Sequence, residues 1–97
     1  MENPRNPDEF YEKLKSQLYE TSAWPTIYLY KFIVPTGNEK IQGVQKIFDN
    51  MGAVIKTTKS RNGKYTSLSV NVRMQDPEAV IAKYKEVASK IEGVVSL

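Results

Sequence analysis

The sequence lacks the two residue types that carry most nucleophile and metal chemistry: it has no cysteine and no histidine. Without cysteine there is no disulfide framework, no thiol nucleophile and no thiolate metal site, which agrees with a reducing compartment. Without histidine, the commonest general base and the commonest metal ligand are both missing. These absences argue against Ser-His-Asp hydrolysis, Cys-His chemistry and zinc binding.

Long apolar runs and a targeting segment are missing as well. No run approaches the ~20 apolar residues that a membrane span needs, and the N-terminal MENPRNPDEF lacks the basic flank and apolar core of a signal peptide. We therefore expect a cytoplasmic protein without a membrane segment. The net charge of +3 is too small to indicate a nucleic-acid partner by itself.

What is present fits one small domain. A chain of 97 residues builds one compact core. We expect a disordered tail over 1–7, an accessory helix over 8–20 and a single domain over 24–97. In the helix, Asp8 is the predicted cap, and one apolar stripe is formed by Phe10, Tyr11, Leu14 and Leu18.

The first strand of the domain is predicted over IYLYKFIV, residues 27–34, because the segment is rich in β-branched and aromatic residues. Tyr28, Tyr30, Phe32 and Val34 are expected on its core face, since the other parity carries Lys31. Asn38 is the predicted cap of a helix that runs to about Met51. Gly52 then provides a good C′ residue.

A hairpin is predicted from Ala53 to Met74, with Asn62-Gly63 at its turn. Asn-Gly between alternating apolar residues favours a type I′ turn, because both residues tolerate positive φ. Counting outwards from this turn places Ile55 opposite Val70, on the apolar face of the pair. The stretch holds five basic and no acidic residues: Lys56, Lys59, Arg61, Lys64 and Arg73.

The remaining elements complete a familiar order. Asp76-Pro77-Glu78 is a strong helix start, Gly93 ends that helix, and residues 94–97 form a short final strand. After the extra helix, the order β-α-β-β-α-β predicts an α+β, ferredoxin-like sandwich with an antiparallel sheet. Right-handed crossovers give the sheet order 4-1-3-2, with the second strand at an edge that Lys56 and Lys59 protect from pairing.

Three segments of the chain resemble the YbeD-like family of small bacterial proteins of unknown function: WPTIYLYKFIVP, GAVIKTTKSRNGKYTSLSVNVRM, and a helix ending in KIEGVVSL. The resemblance covers residues 24–97, and its most specific part is the turn from Ser60 to Tyr65. It implies a fold similar to the ACT domain, a regulatory module that senses small molecules. Some members are described as lipoic-acid-binding regulatory proteins, which implies no motif residue in this chain.

One face of the predicted sheet is free of both main helices. By strand parity, it carries these side chains: Leu29, Lys31, Ile33, Val54, Lys56, Thr58, Tyr65, Ser67, Ser69, Asn71 and Arg73. We expect Lys31, Lys56 and Arg73, with Arg61 and Lys64 at the hairpin tip, to attract an anion or an acidic partner. A solvated face with lysines at its edge explains the same residues. Leu29 and Ile33 need cover, from the N-terminal helix or from a second subunit.

The loop Thr36-Gly37-Asn38 is a second candidate site, for a small ligand. Gly37 permits close approach to the backbone, and a helix N-terminus at Asn38 favours a carboxylate. An ordinary strand-to-helix turn is the alternative, since the acidic-Pro-Gly pattern of ACT loops is not matched. The sequence has no pair of acidic residues placed for acid–base catalysis and no glycine-rich phosphate loop. We therefore predict no enzyme, no cofactor, no catalytic residue and no metal site.

The sequence thus predicts a small non-catalytic regulatory or interaction module that binds a partner protein or a small anionic ligand, with a homodimer as an open alternative. A small-molecule sensor for lipoate or an amino acid, using the Gly37 loop, is a second hypothesis. A weak nucleic-acid binder is a third. Sequence-specific nucleic-acid binding is disfavoured, because the third strand offers Ser67, Ser69 and Asn71 where RNA-recognition motifs place stacking aromatics.

Overall fold

The computed structural model describes residues 7–97. The disordered tail predicted over 1–7 therefore lies, for residues 1–6, outside the described residues. The elements follow in this order: α1 (Pro7–Thr21), β1 (Thr26–Pro35), α2 (Asn38–Ile47), β2 (Val54–Lys59), β3 (Tyr65–Met74), α3 (Pro77–Lys90) and β4 (Val95–Ser96).

Within residues 7–97 the four strands form one antiparallel sheet in the order β2-β3-β1-β4. Read from the opposite edge, this order is 4-1-3-2. The longest pairing joins β1 to β3, from Thr26 opposite Met74 to Pro35 opposite Tyr65. The α+β class is therefore confirmed, with β1 and β3 at the centre of the sheet and the two-residue β4 at one edge.

The core lies on one face of the sheet, where α2 and α3 pack. Along β1 the burial alternates, so that Tyr30, Phe32 and Val34 are fully buried while Leu29 and Lys31 are exposed, as the parity predicted. The Tyr30 ring lies 5.0 Å from that of Phe48 and 4.9 Å from that of Tyr84. Burial raises the pKa of both Tyr30 and Tyr84, so this aromatic cluster stays uncharged.

The hairpin has the predicted register but a different turn. Ile55 pairs with Val70, which confirms the count from the turn. The prediction of a type I′ turn is wrong. That turn needs a positive φ at both central residues, but only Gly63 has one, at 76°, and Asn62 does not. The Asn62 side chain explains the difference, since its Oδ1 accepts hydrogen bonds from the Ser60 hydroxyl at 3.0 Å and from the Lys64 amide at 3.0 Å. The chain thus turns from Ser60 onward, and the Gly63 amide donates to the Ser60 carbonyl at 2.9 Å.

Two predicted helix caps are wrong. Helix α1 begins at Pro7, so Asp8 lies inside its first turn, and proline is well suited to a first helical position. Helix α2 begins at Asn38, and the cap position is occupied by Gly37, which has no side chain to make a capping hydrogen bond.

Helix α2 also ends earlier than predicted, at Ile47 instead of Met51. The amides of Phe48 and Asp49 donate three residues back, to the carbonyls of Gln45 and Lys46. Asn50 then adopts a left-handed conformation with a φ of 64°. The apolar spacing does not reveal this ending, because Phe48 and Met51 continue the stripe into the turn.

Helix α1 packs beside α3, on the same side of the sheet as the core. The Trp24 indole donates to the Leu18 carbonyl at 3.1 Å, at the junction of α1 and β1. The Tyr19 hydroxyl donates to the Glu78 carboxylate, and this hydrogen bond raises the pKa of Tyr19 to about 12. Of the two alternatives for covering Leu29 and Ile33, the N-terminal helix is wrong, because α1 lies on the opposite side of the sheet.

Helix α3 begins as predicted, and its cap supplies a first test. The Asp76 carboxylate accepts a hydrogen bond from the Ala79 amide at 2.8 Å, with Pro77 next to it. We expect Asp76→Ala to lower the free energy of unfolding by about 0.5–2 kcal/mol, measured by urea denaturation. Asp76→Asn retains an acceptor oxygen, so it is expected to recover most of the loss. Equal losses in both variants would contradict a capping role.

Candidate functional site

The candidate site is the open face, by which we mean the side of the sheet opposite α2 and α3. Three strands place one row of residues across it: Ser69 of β3 pairs with Lys31 of β1 and with Lys56 of β2. The Cα atoms of the two lysines are thus two strand spacings apart, about 10 Å. Since both side chains are long and flexible, both ammonium groups can reach one anionic group placed over Ser69.

The rows beside it add apolar surface. Asn71 pairs with Leu29 on one side and with Val54 on the other, and these two side chains are 46% and 57% exposed. The next row pairs Arg73 with Ile27, which is 58% exposed. Basic and apolar side chains therefore alternate along this face. Such a surface is better suited to contact with an amphipathic partner than to contact with bulk water.

The charge of the open face is of one sign. Within residues 7–97, no strand contains an aspartate or a glutamate, and no carboxylate forms an ion pair with Lys31, Lys56 or Arg73. The described ion pairs lie on the helices instead, where Glu86 contacts Lys83 at 3.0 Å and Lys90 at 3.2 Å. These contacts lower the pKa of Glu86. Among the described residues, the strands of the open face thus carry basic side chains and no acidic ones.

The hairpin tip lies beyond this face. Arg61 and Lys64 are exposed in the turn between β2 and β3, while Lys31, Lys56 and Arg73 lie on the open face itself. The structure thus divides the five predicted cationic residues between two places. A shallow hollow of about 280 Å³ lies between them, lined as follows: Ile33, Thr58, Lys59, Ser60, Tyr65 and Ser67.

The predicted ligand loop is tied to the hairpin. The Thr36 amide donates to the Lys64 carbonyl at 2.9 Å, and the hydroxyl oxygens of Thr36 and Thr66 lie 2.9 Å apart. Gly37 has a φ of 171°, which is extended backbone that any residue adopts. A Cβ at this position would meet no atom within 4 Å, so neither conformation nor crowding requires glycine here. Ligand binding at Thr36, Gly37 and Asn38 stays a prediction.

Sequence reasoning missed one part of the site, the β4 side of β1. Ile27 lies on the open face opposite Arg73, although the predicted face omits it; its shared parity with Leu29 is the signal that includes it. The shortness of β4 was also missed: residues 94–97 are predicted as a strand, but only Val95–Ser96 forms one. The sequence Val-Val-Ser-Leu of residues 94–97 has no alternation or turn residue that would distinguish a strand of four residues from a strand of two.

Two other features are absent from the described residues. Within residues 7–97, no group of three or more acidic residues is placed to hold a metal ion. No helix in that part of the chain is long and apolar enough to cross a membrane.

These features define a class: a small α+β protein with three helices, one antiparallel sheet and one face of that sheet left open. Comparison with known proteins specifies the family. A family model described as "Protein of unknown function (DUF493)" matches residues 20–96. The chain belongs to that family, which is the YbeD family, and the resemblance inferred from the sequence is confirmed. No curated protein and no solved structure matches the chain.

Proposed function

We propose that the protein is a non-catalytic interaction module whose open face binds an acidic, partly apolar surface of a partner protein. The observation that carries this proposal is the row Lys56–Ser69–Lys31, which lies beside exposed Leu29 and Val54 on strands that, within residues 7–97, contain no aspartate or glutamate. We also assign the domain to the ferredoxin-like arrangement, on its element order and strand order. In that arrangement one face of the sheet is free for contacts.

The charges and the apolar side chains have different tasks in such a contact. An exposed lysine–carboxylate pair is worth only about 0.2–1 kcal/mol. Complementary charge mainly raises the association rate and sets the orientation of the partner. The larger share of the affinity comes from burying Leu29, Val54 and Ile27 against apolar groups. A partner with carboxylates next to apolar residues satisfies both requirements.

Two other occupants of the open face fit less well. A second copy, stacked face to face, would bring Lys31, Lys56 and Arg73 of both chains together, and this repulsion disfavours it. Nucleic acid would find cations but few stacking surfaces, because Tyr65 is the exposed aromatic side chain of the described face. An acidic protein surface is therefore the occupant that the residues favour.

The test compares two double variants with the same change in charge. Lys31→Glu with Lys56→Glu reverses the open face, and Lys13→Glu with Lys46→Glu reverses two exposed lysines on helices. Proteins captured from a native lysate are identified, and the leading one is purified. We expect the face variant to weaken its binding about tenfold or more, which is at least about 1.4 kcal/mol. The helix variant is expected to bind as the unaltered protein does.

Two results would count against this function. Equal affinity of the face variant and the helix variant would show that the open face is not the contact. Tighter binding to single-stranded RNA than to the captured protein, with affinity falling steeply as salt rises, would indicate a nucleic-acid binder instead.

A further inference from the structure

The β4 side of β1 carries an edge that the sheet leaves unpaired. Strand β4 pairs with β1 at Phe32 and Ile33, and beyond them the Leu97 amide donates to the Lys31 carbonyl at 2.9 Å. Within residues 7–97, no strand continues along residues 26–30 on this side, although β3 pairs with all of them on the other. The free edge is thus five residues long, about 17 Å.

The direction of the free backbone groups follows from the pairing. In an antiparallel strand, alternate residues direct both their amide and their carbonyl to the same neighbour. The Lys31 carbonyl is directed to the β4 side, so those of Leu29 and Ile27 are as well. Tyr28 and Tyr30 are directed to β3. The free edge therefore offers two amides and two carbonyls, at Ile27 and Leu29, to another strand.

A groove accompanies this edge on the helix side of the sheet. It encloses about 230 Å³ and is formed by α1, by the tyrosines of β1 and α3, and by the end of the chain: Phe10, Tyr11, Leu14, Tyr28, Tyr84, Ser96 and Leu97. Phe10 is 62% exposed there, although its spacing predicted a place in the apolar stripe of α1. A strand laid along the free edge would direct every second side chain into this groove.

We infer that the free edge and the groove together bind an extended peptide of a partner protein, which adds to the sheet as a further strand beside β1. The backbone of the peptide pairs with Ile27 and Leu29, and its alternate apolar side chains fill the aromatic groove. Its remaining side chains emerge on the open face opposite Ile27 and Leu29, and the one opposite Leu29 lies diagonally next to Lys31. Because that face has no acid in the described chain, a carboxylate at one of these positions is the complementary choice.

A second copy of this chain fits the free edge poorly. If β1 of one copy paired antiparallel with β1 of another about Tyr28, the partner's Pro25 would fall opposite Lys31. That place is already taken by Leu97. A second copy is held at this point, because its Trp24 donates to the Leu18 carbonyl of its own α1, whereas a short peptide segment can bend away at Leu97.

This inference does not rest on the proposed function, because it depends on backbone pairing at Ile27 and Leu29, and only the choice of glutamate in the peptide uses the charge of the open face. Its sharpest variant is Ile27→Pro. Proline removes the amide that faces the free edge but removes no hydrogen bond to β3, so edge positions tolerate it. Ile27→Val keeps the amide and is the matched control.

The probe is a blocked octapeptide in which glutamate alternates with valine or phenylalanine, titrated into ¹⁵N-labelled protein. We expect the largest shifts at the amides of Ile27 and Leu29. We expect Ile27→Pro to weaken binding at least tenfold, with Ile27→Val near the unaltered value. The same peptide, N-methylated at its glutamates, whose amides face β1 in this pairing, tests the pairing without any change in the protein and should also bind at least tenfold more weakly.

Two outcomes would overturn the inference. One is the absence of any shift at Ile27 and Leu29 at millimolar peptide. The other is equal binding of the methylated and unmethylated peptides. Shifts confined to Lys31, Lys56 and Arg73 would reject the edge while leaving the open face as a contact, so failure here is distinguishable from failure of the proposed function.

Discussion

Replacing Phe32 with alanine is expected to lower the free energy of unfolding by about 3–5 kcal/mol. The side chain is fully buried, and its ring lies 5.6 Å from Tyr30, 6.1 Å from Tyr84 and 6.2 Å from Phe48. Removing it opens a cavity between the sheet and both packing helices. The total free energy of unfolding of a native protein is only about 5–15 kcal/mol. Urea denaturation should therefore show a large fall in the urea concentration at the midpoint of unfolding.

The control lies on the same strand and the opposite face. Leu29→Ala removes an exposed side chain, and substitutions at such positions usually stay within about 0.5 kcal/mol. A loss in Leu29→Ala as large as that in Phe32→Ala would contradict the one-sided burial of β1.

Gly43→Val is expected to destabilise the protein by about 1–3 kcal/mol, the usual cost of overpacking. Helices α2 and α3 approach closely at this position, where a Cβ would lie 2.6 Å from Cδ1 of Ile91. Thermal denaturation measures the loss. Gly37→Ala is a glycine control, since a Cβ at Gly37 meets nothing within 4 Å.

A double-mutant cycle tests whether Cδ1 of Ile91 is the atom that disfavours a side chain at position 43. Ile91→Val removes the Cδ1 that a Cβ at position 43 would strike, so Gly43→Ala should be better tolerated in that background. We expect a favourable coupling of about 0.5 kcal/mol or more between the two substitutions. Strict additivity would show that the close approach is not the reason for glycine at this position.

The sequence predicts the sheet well because its signals there are local and repeated. Alternation along β1 and β3 identifies the core face, and one turn then fixes the pairing of Ile55 with Val70. The turn type is harder to predict, since it depends on the Asn62 side chain bonding Ser60 and Lys64. The register tolerates this change, because the same pairs form on either side of the loop.

Helix ends and the place of α1 are less predictable for a different reason. An apolar stripe gives the direction of a helix face but not the element it meets, so α1 fits either side of the sheet on sequence alone. The same limit applies to the open face. Lys31, Lys56 and Arg73 follow from parity, whereas the free edge at Ile27 and Leu29 depends on where β4 ends, which four residues of mixed character do not specify.

The tryptophan at the junction of α1 and β1 has a practical consequence. The sequence contains a single tryptophan, and the Trp24 indole is held by the Leu18 carbonyl of α1, away from the open face. Trp24 also packs against the core cluster, so its fluorescence reports the junction of α1 with the core. The six tyrosines are spread more widely, with Tyr11 and Tyr19 on α1 and Tyr30 and Tyr84 in the core, so the tryptophan gives the more local optical record of this junction.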